Sequence, residues 1–443
     1  MMSEVKAFAK KTCPDPVWNT LHRVRQKSRR VKKKLKEVFW EPYLIKTAPL
    51  RHRIALRKLE EKTAIRVAFF LINTDTWKCD SLYWAFEDSD RFEPTVVICP
   101  FVSKGEDFKK QEIQKAVDYC ESKGFRFTKG YNERTYECID IKSKANPDIV
   151  LFTNPNPLSC SQFRILNYIC NLTCYIPYSF RISELHEYEY NSLFVNLTWK
   201  NFWESEVHLK LSRKYARNAG ANVEALGFPH LDKFRKGSKS NPWNQLDGVR
   251  KRVIWAPHWT IKGQQTSAIN WSCFLKYHEQ FIELAEKYKE EVQFALKPHP
   301  FLRPLLEQDH LWGKTKTKEY IQVWKERPNL QYVEGSYVDL FLNSDALIHD
   351  SGSFMVEYLM VDNPVAYTFH DRDPEDDFNA FGEKAFEMHI PVQSENELER
   401  FVTDVIASKD RKKDERADFV KRHLDLHERS AGEKIVDYLA SQV

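Results

Sequence analysis

Short apolar runs alternate with amphipathic stretches from about residue 63 to residue 368, and this alternation constrains the chain more than any other feature. Ile65–Ile72, Thr95–Cys99, Phe125–Thr128, Asp148–Phe152 and Thr173–Pro177 read as a first set of strands. Arg252–Trp255, Val292–Leu296, Leu330–Tyr332, Ala346–Ile348 and Pro364–Tyr367 read as a second. Runs that are apolar at nearly every position need cover on both faces. Helices of about 10–15 residues between them supply it, so the pattern predicts βαβ units around parallel sheets. Helices are expected at Leu82–Phe86, Phe108–Ser122, Phe274–Lys289, Gln322–Arg327 and Val338–Leu342, with Glu433–Leu439 crossing back at the end. The polar stretch Lys236–Asp247, with Gly and Pro, reads as a linker between the two halves. The expected division is a helical extension over 1–62, a Rossmann-like domain over 63–238 and a second over 239–443, with a cleft between the last two.

The charge is divided just as unevenly. The whole chain carries a formal +5, but residues 1–63 hold 18 Lys and Arg against six Asp and Glu. That surplus of 12 leaves −7 for the other 380 residues. Between Val17 and Trp40, apolar residues at mostly helical spacing are separated by Lys and Arg. A cationic amphipathic helix with terminal aromatics suits an anionic membrane surface, the first choice here. A solvated helix packed on the body fits about as well. Nucleic acid ranks below both, because the body lacks a groove of interleaved basic and aromatic residues. No run approaches the ~20 apolar residues that cross a bilayer, and no apolar h-region follows the first charges. The nine cysteines contain no CxxC pair, which predicts reduced thiols instead of a zinc site or a disulfide framework. The expected setting is the cytoplasm, peripheral on the inner face of the cell membrane.

Four strand-end loops carry chemistry. Ile348 runs into His349-Asp350-Ser351-Gly352-Ser353, where small residues admit an anion to the backbone and a helix is expected from Phe354. Glu357, about one turn further on, would place its carboxylate near a ribose; a plain Asp or Ser helix cap accounts for the same residues. The strand ending at Leu296 leads into Lys297-Pro298-His299-Pro300, a rigid basic turn facing the crevice of a parallel sheet. Trp255-Ala256-Pro257-His258-Trp259-Thr260 lies at another strand end, and Gly227-Phe228-Pro229-His230-Leu231-Asp232 forms a turn before the linker. Asn73 and Asp75 follow the first strand and could face an acceptor, although a turn with a helix cap explains them more simply. Asp371-Arg372-Asp373 contains its own arginine and is a weak metal candidate; no metal or other cofactor is expected.

In this order the four loops resemble the CDP-glycerol glycerophosphotransferase family, membrane-associated GT-B enzymes that build teichoic acids and related capsule polymers. The family's GxPRxD, APTWR, KxHP and ITDYSS segments correspond here to Gly227–Asp232, Ala256–Thr260, Lys297–Pro300 and Ile348–Ser353. Glu428–Ile435 resembles its closing helix, and the resemblance covers roughly residues 225–440. This sequence lacks the arginine of the second segment and has Asp350-Ser351-Gly352-Ser353 in the fourth, a variant also similar to the DSGG…E loop of UDP-N-acetylglucosamine 2-epimerases. The amino-domain WHGTP segment has its nearest counterpart in Tyr175–Phe180, without the histidine.

The resemblance implies a GT-B-like α/β fold and transfer of glycerol phosphate, or a related polyol phosphate, from a CDP-activated donor to a glycan or cell-surface polymer. His299 would contact the pyrophosphate or move a proton, with His258 as the second candidate. The donor would lie against Gly227, Pro257, Thr260, Lys297, Asp350, Ser351, Gly352, Ser353 and Glu357. Asn73, Asp75 and Tyr178 would face the acceptor. A GT-B glycosyltransferase using a nucleotide-diphosphate sugar is the alternative, and a non-enzymatic membrane adaptor is a third class.

Overall fold

The computed structural model describes residues 36–443 except 143, 249, 262, 264–269, 371–373 and 425–428. Most of the basic leader, the Asp371-Arg372-Asp373 segment and Glu428 therefore lie outside the described residues.

Two parallel sheets organise the chain. The first contains β1 (Ile65–Leu71), β2 (Phe92–Ile98), β3 (Phe127–Lys129), β4 (Ile149–Phe152), β5 (Leu172–Tyr175), β6 (Lys200–Trp203) and β7 (Val223–Ala225). Their spatial order is 3-2-1-4-5-6-7. The second contains β8 (Lys251–Ala256), β9 (Val292–Leu296), β10 (Leu330–Tyr332), β11 (Ala346–His349), β12 (Val365–Thr368) and β13 (Ile390–Val392), in the order 10-9-8-11-12-13. Central strands such as β4, β9 and β11 are buried at every residue, which explains their unbroken apolar character. Each sheet reverses strand order once, between β1 and β4 and between β8 and β11. Crevices open outside the carboxyl ends of parallel strands at such reversals.

The structure changes several expected elements. The helix expected at Gln322–Arg327 runs over Gly313–Glu326, because its polar first half still presents Thr317 to the core. Strands β6, β7 and β13 are only three or four residues long, and each includes a polar residue or a proline, so their apolar signal is too short to read in sequence. Cys138 and Cys160 form a disulfide, against the expectation of reduced thiols throughout. They stand 22 residues apart, without a motif. They meet because the loops after β3 and β4 pack together: a side chain at Gly130 would collide with the Phe163 ring at 2.8 Å.

Between Glu41 and Arg57 the chain forms a helix that packs Leu44, Ala48, His52 and Ala55 on the first sheet. Arg51 secures it by donating to the Ile169 carbonyl at 3.1 Å and the Leu44 carbonyl at 2.8 Å. No helix among the described residues is long and apolar enough to cross a membrane.

The expected return helix spans Ala431–Ala440 and buries Ile435, Val436 and Leu439 in the core of the first sheet. Asp232, from the turn after β7, holds its amino end: its carboxylate accepts the Ala431 and Gly432 amides at 3.0 and 3.1 Å and the Ser81 hydroxyl at 2.7 Å. Ser430 and Glu433 close a capping box over the same end. The Gly227-to-Asp232 turn and the Ser430-Ala431-Gly432 segment therefore lock together, although about 200 residues separate them. Gly432 is required by contact, since a Cβ there would stand 2.9 Å from the Ser81 backbone. Gly432→Ala is expected to cost about 1–3 kcal/mol through overpacking, read as a lower denaturant midpoint with an unchanged slope.

Candidate active site

The loops after β8, β9 and β11 converge on one wall of the cleft. Asp350 is fully buried at the end of β11, and its carboxylate accepts two backbone amides from the loop after β8. His258 N–H donates to Oδ1, and Cys273 N–H donates to Oδ2 at 2.6 Å. Burial pushes the Asp350 carboxyl up to about 7 despite those donors. Its observed role is to pin the His258 loop. Gly352 lies under the Trp271 ring, where a Cβ would meet the indole at 2.6 Å, so only glycine admits this close approach. Ser351 N–H donates to His349 Nδ1 at 3.1 Å, and Ser353 stands half-buried at the loop's end. The helix after this loop is short: Phe354–Glu357 is α-helical and Tyr358–Val361 tightens to a 3₁₀ turn.

The two candidate histidines meet on this wall, with ring centroids 5.1 Å apart and both residues half-buried. His299 Nδ1 accepts the Phe301 amide at 3.1 Å. Trp271 N–H donates to Thr260 Oγ1 at 3.1 Å, which leaves that hydroxyl to donate to His258 Nδ1 at 2.8 Å. These bonds assign the proton of each neutral ring to Nε2. Burial lowers His258 to about 3. Burial also holds His299 well below its usual range, helped by the nearby His258 and Lys297. Both rings are thus neutral N–H donors near pH 7. Pro257 fixes this approach, its carbonyl accepting the His299 amide at 3.0 Å.

Lys297 is buried at the end of β9, with its ammonium 5.9 Å from the Tyr337 ring centroid. Desolvation lowers it to about 8; the charge of Asp75 opposes that shift and the charge of Lys78 adds to it. A buried cation of this kind favours an anionic ligand.

Opposite it, the loop after β1 supplies Lys78, a residue not foreseen in the sequence. Its ammonium donates to Tyr337 Oη at 2.6 Å and lies 3.3 Å from His230 Nε2 and 3.7 Å from Glu357 Oε1. Tyr337 in turn donates to Glu357 Oε2. Burial opposes ionisation of Glu357, but the charges of Lys78 and then His230 outweigh it and take the carboxyl down to about 2. Burial, then Lys78, lowers His230 to about 4. The carboxylate expected beside a ribose is therefore occupied by side chains from both sheets. Lys78 lies seven residues beyond β1, past the Thr74–Thr76 turn, so unlike Lys297 it had no strand-end signal in the sequence. Tyr337 carried none.

Asn73 is buried and accepts the Asp75 amide at 2.7 Å, the turn-and-cap arrangement that explains it most simply. Asp75 is exposed on that turn. Gly227 turns the chain at φ +94°, a left-handed conformation that suits glycine, at the start of the turn that ends in Asp232. Tyr178 lies apart from the histidines, in a pocket of the first sheet. Among the described residues no group of three or more His, Cys, Asp or Glu is placed to hold a metal ion.

Two Rossmann-type parallel sheets, each with one reversal of strand order, define a GT-B-like α/β fold. Solved structures agree. The wall teichoic acid polymerase TagF (H444N variant) matches with TM-score 0.56 at 12% identity, over 95% of this chain and 97% of that one. The S. aureus MnaA–UDP structure matches with TM-score 0.54 at 13% identity, over 86% and 98%. The Methanocaldococcus jannaschii UDP-GlcNAc 2-epimerase bound to UDP-GlcNAc and UDP matches with TM-score 0.53 at 13% identity, over 85% and 99%. No curated protein sequence matches the chain. The model of the CDP-glycerol:poly(glycerophosphate) glycerophosphotransferase family matches residues 205–441, and the chain belongs to that family.

Asp350→Asn would turn an amide N–H₂ toward one of two backbone donors. It is expected to cost about 1–3 kcal/mol, measured by denaturant unfolding.

Proposed function

We propose that the chain transfers glycerol phosphate from CDP-glycerol to a hydroxyl of a glycan or polymer acceptor. The supporting observation is the wall built from Lys297, His299 and His258, three groups ready to receive phosphoryl charge, inside the segment matched by the family. The acceptor oxygen attacks the glycerol-bearing phosphorus and forms a new P–O bond. The bond to the bridging oxygen breaks, and CMP leaves with that oxygen. Lys297 and the two Nε2–H groups hydrogen-bond the phosphoryl oxygens as charge moves onto the leaving group. With their Nδ1 atoms occupied, the histidines act as donors and not as bases. Asp75 supplies a carboxylate on the acceptor wall to take the hydroxyl proton. Gly227, Pro257, Thr260, Asp350, Ser351, Gly352 and Ser353 shape the donor wall, and Glu357 reaches the ribose only if it exchanges a present partner.

Removing one preorganised donor to a developing charge typically costs about 10²–10³ in turnover. His299→Ala and His258→Ala are each expected to fall in that range in a CMP-release assay, and turnover within about tenfold of wild type would overturn the assignment. Because Lys297 loses its proton through about pH 8, kcat/KM should decline above that pH. Lys297→Arg should move the decline upward, and no inflection should arise from histidine near pH 6.5.

We also propose that the enzyme docks on an anionic membrane through the Glu41–Arg57 helix and the turn before it. Phe39, Tyr43, Leu50 and Ile54 stand 67, 60, 54 and 48% exposed on the face opposite Leu44, Ala48 and Ala55. Lys46, Arg53 and Arg57 share that exposed face by helical spacing. Apolar side chains ringed by cations suit the headgroup boundary. The leader expectation placed this contact at residues 17–40, which lie largely outside the described residues. Replacing Phe39, Tyr43, Leu50 and Ile54 together by Ser should reduce co-flotation with phosphatidylglycerol vesicles at least about tenfold while leaving CMP release in solution intact.

A further inference from the structure

A diphosphate diester carries a negative charge on each phosphate near neutral pH. The proposed donor wall meets it with Lys297 as its unpaired cation, because His258 and His299 are neutral donors. Other cations around the cleft are already matched. Lys78 pairs with Glu357 at 3.7 Å, Lys115 with Glu112 at 2.8 Å and Arg303 with Glu307 at 2.9 Å. Lys104, on the loop after β2, forms no ion pair with a described residue. Its ammonium lies 3.2 Å from the Phe301 ring centroid and 5.0 Å from that of Phe108. Lys104 also lies outside the segment matched by the family.

The ring that Lys104 covers belongs to the other sheet. Phe301 directly follows the Lys297–Pro300 turn, with its centroid 5.4 Å from that of His299 and 5.6 Å from that of Trp259. Lys104 therefore spans the cleft, and its charge helps to hold His299 neutral. The backbone beneath it is fixed. Val102 N–H donates to the Leu158 carbonyl at 2.9 Å, and the Ser159 hydroxyl donates to the Pro100 carbonyl at 2.7 Å. Buried Phe101 packs edge-on against Phe108 with centroids 5.1 Å apart. From that base Lys104 extends a flexible four-carbon stem that ends in a compact point charge. Partial burial lowers its ammonium from the usual lysine value, and the charge of Glu112 opposes that shift. A cation over an exposed ring gains less than one in a charge-assisted hydrogen bond, so a phosphate beside His299 outcompetes Phe301 for it.

We infer that Lys104 hydrogen-bonds the donor diphosphate from across the cleft, so that the first sheet supplies one cation of the site and Lys297 the other. The contact rests on the proposed transfer from CDP-glycerol and adds to it a residue from the opposite sheet. The test is a set of ligand-observed NMR titrations of the full chain with CDP-glycerol, cytidine and sn-glycerol 3-phosphate. Lys104→Met keeps an unbranched stem over Phe301 and removes the charge, whereas Lys104→Arg keeps the charge. CDP-glycerol affinity should fall about tenfold or more in Lys104→Met and return to within about threefold in Lys104→Arg. Cytidine affinity should stay within about twofold in both, which reports an intact fold and nucleoside site. The gap between wild type and Lys104→Met should narrow from about 0.05 to about 0.5 M salt, since a charge contact open to solvent is screened. CDP-glycerol affinity within about twofold of wild type in Lys104→Met would overturn the contact. So would an equal loss for cytidine, or a loss for sn-glycerol 3-phosphate in place of CDP-glycerol, which would assign the cation to an acceptor phosphate. In each of these cases the wild type still binds CDP-glycerol, and the transfer reaction stands. Failure of the wild type to bind CDP-glycerol would overturn that reaction and this contact with it.

Discussion

The buried pair of Lys78 and Glu357 joins the two halves of this molecule at the floor of the cleft. Lys78 arrives from the loop after β1 and Glu357 from the turn after β11, so each charge comes from a different sheet. Neither would remain ionised if it were buried alone, because desolvating one charge costs several kcal/mol. Tyr337 and His230 complete the arrangement by taking up hydrogen bonds on both partners. The gap between the sheets, and with it the distance between the proposed donor and acceptor walls, is tied to this cluster. The Asp232 lock on the closing helix adds a second tie, distant in sequence, at the same end of the molecule.

With the walls fixed, electrostatics assigns separate tasks to groups that look alike in sequence. Lys78 has a carboxylate partner and serves structure, whereas Lys297 forms no ion pair with a described residue and is the cation that the proposed reaction uses. His230 lies beside that structural cluster. His258 and His299 turn Nε2–H outward because backbone and threonine donors occupy their other nitrogens. Asp350, the most conspicuous acid of the donor loop, is consumed by two backbone amides and works by holding the histidine loop in place.

Strand ends were the legible part of the site. Asp350, Lys297, His258 and His299 each come directly after a strongly apolar strand, and parallel strands deliver their succeeding loops to one edge of the sheet. Lys78 and Tyr337 were not legible, since each gains its meaning from a residue on another element. The disulfide was invisible for the same reason: Cys138 and Cys160 are brought together only by loop packing at Gly130 and Phe163. Short strands such as β6 and β13 were lost because three or four residues, interrupted by polar residues or a proline, carry too little periodicity.

By itself, the sequence determined the parallel α/β class, the repetition of that plan in two halves, and the strand-end loops that meet around His258 and His299. Those properties are local, since hydrophobic period and turn composition act over a few residues. The tertiary structure alone decided which lysine is free, which nitrogen of each histidine carries its proton, and where buried polar atoms remain unpaired. Those properties depend on burial and on partners supplied from distant parts of the chain, which no local pattern encodes.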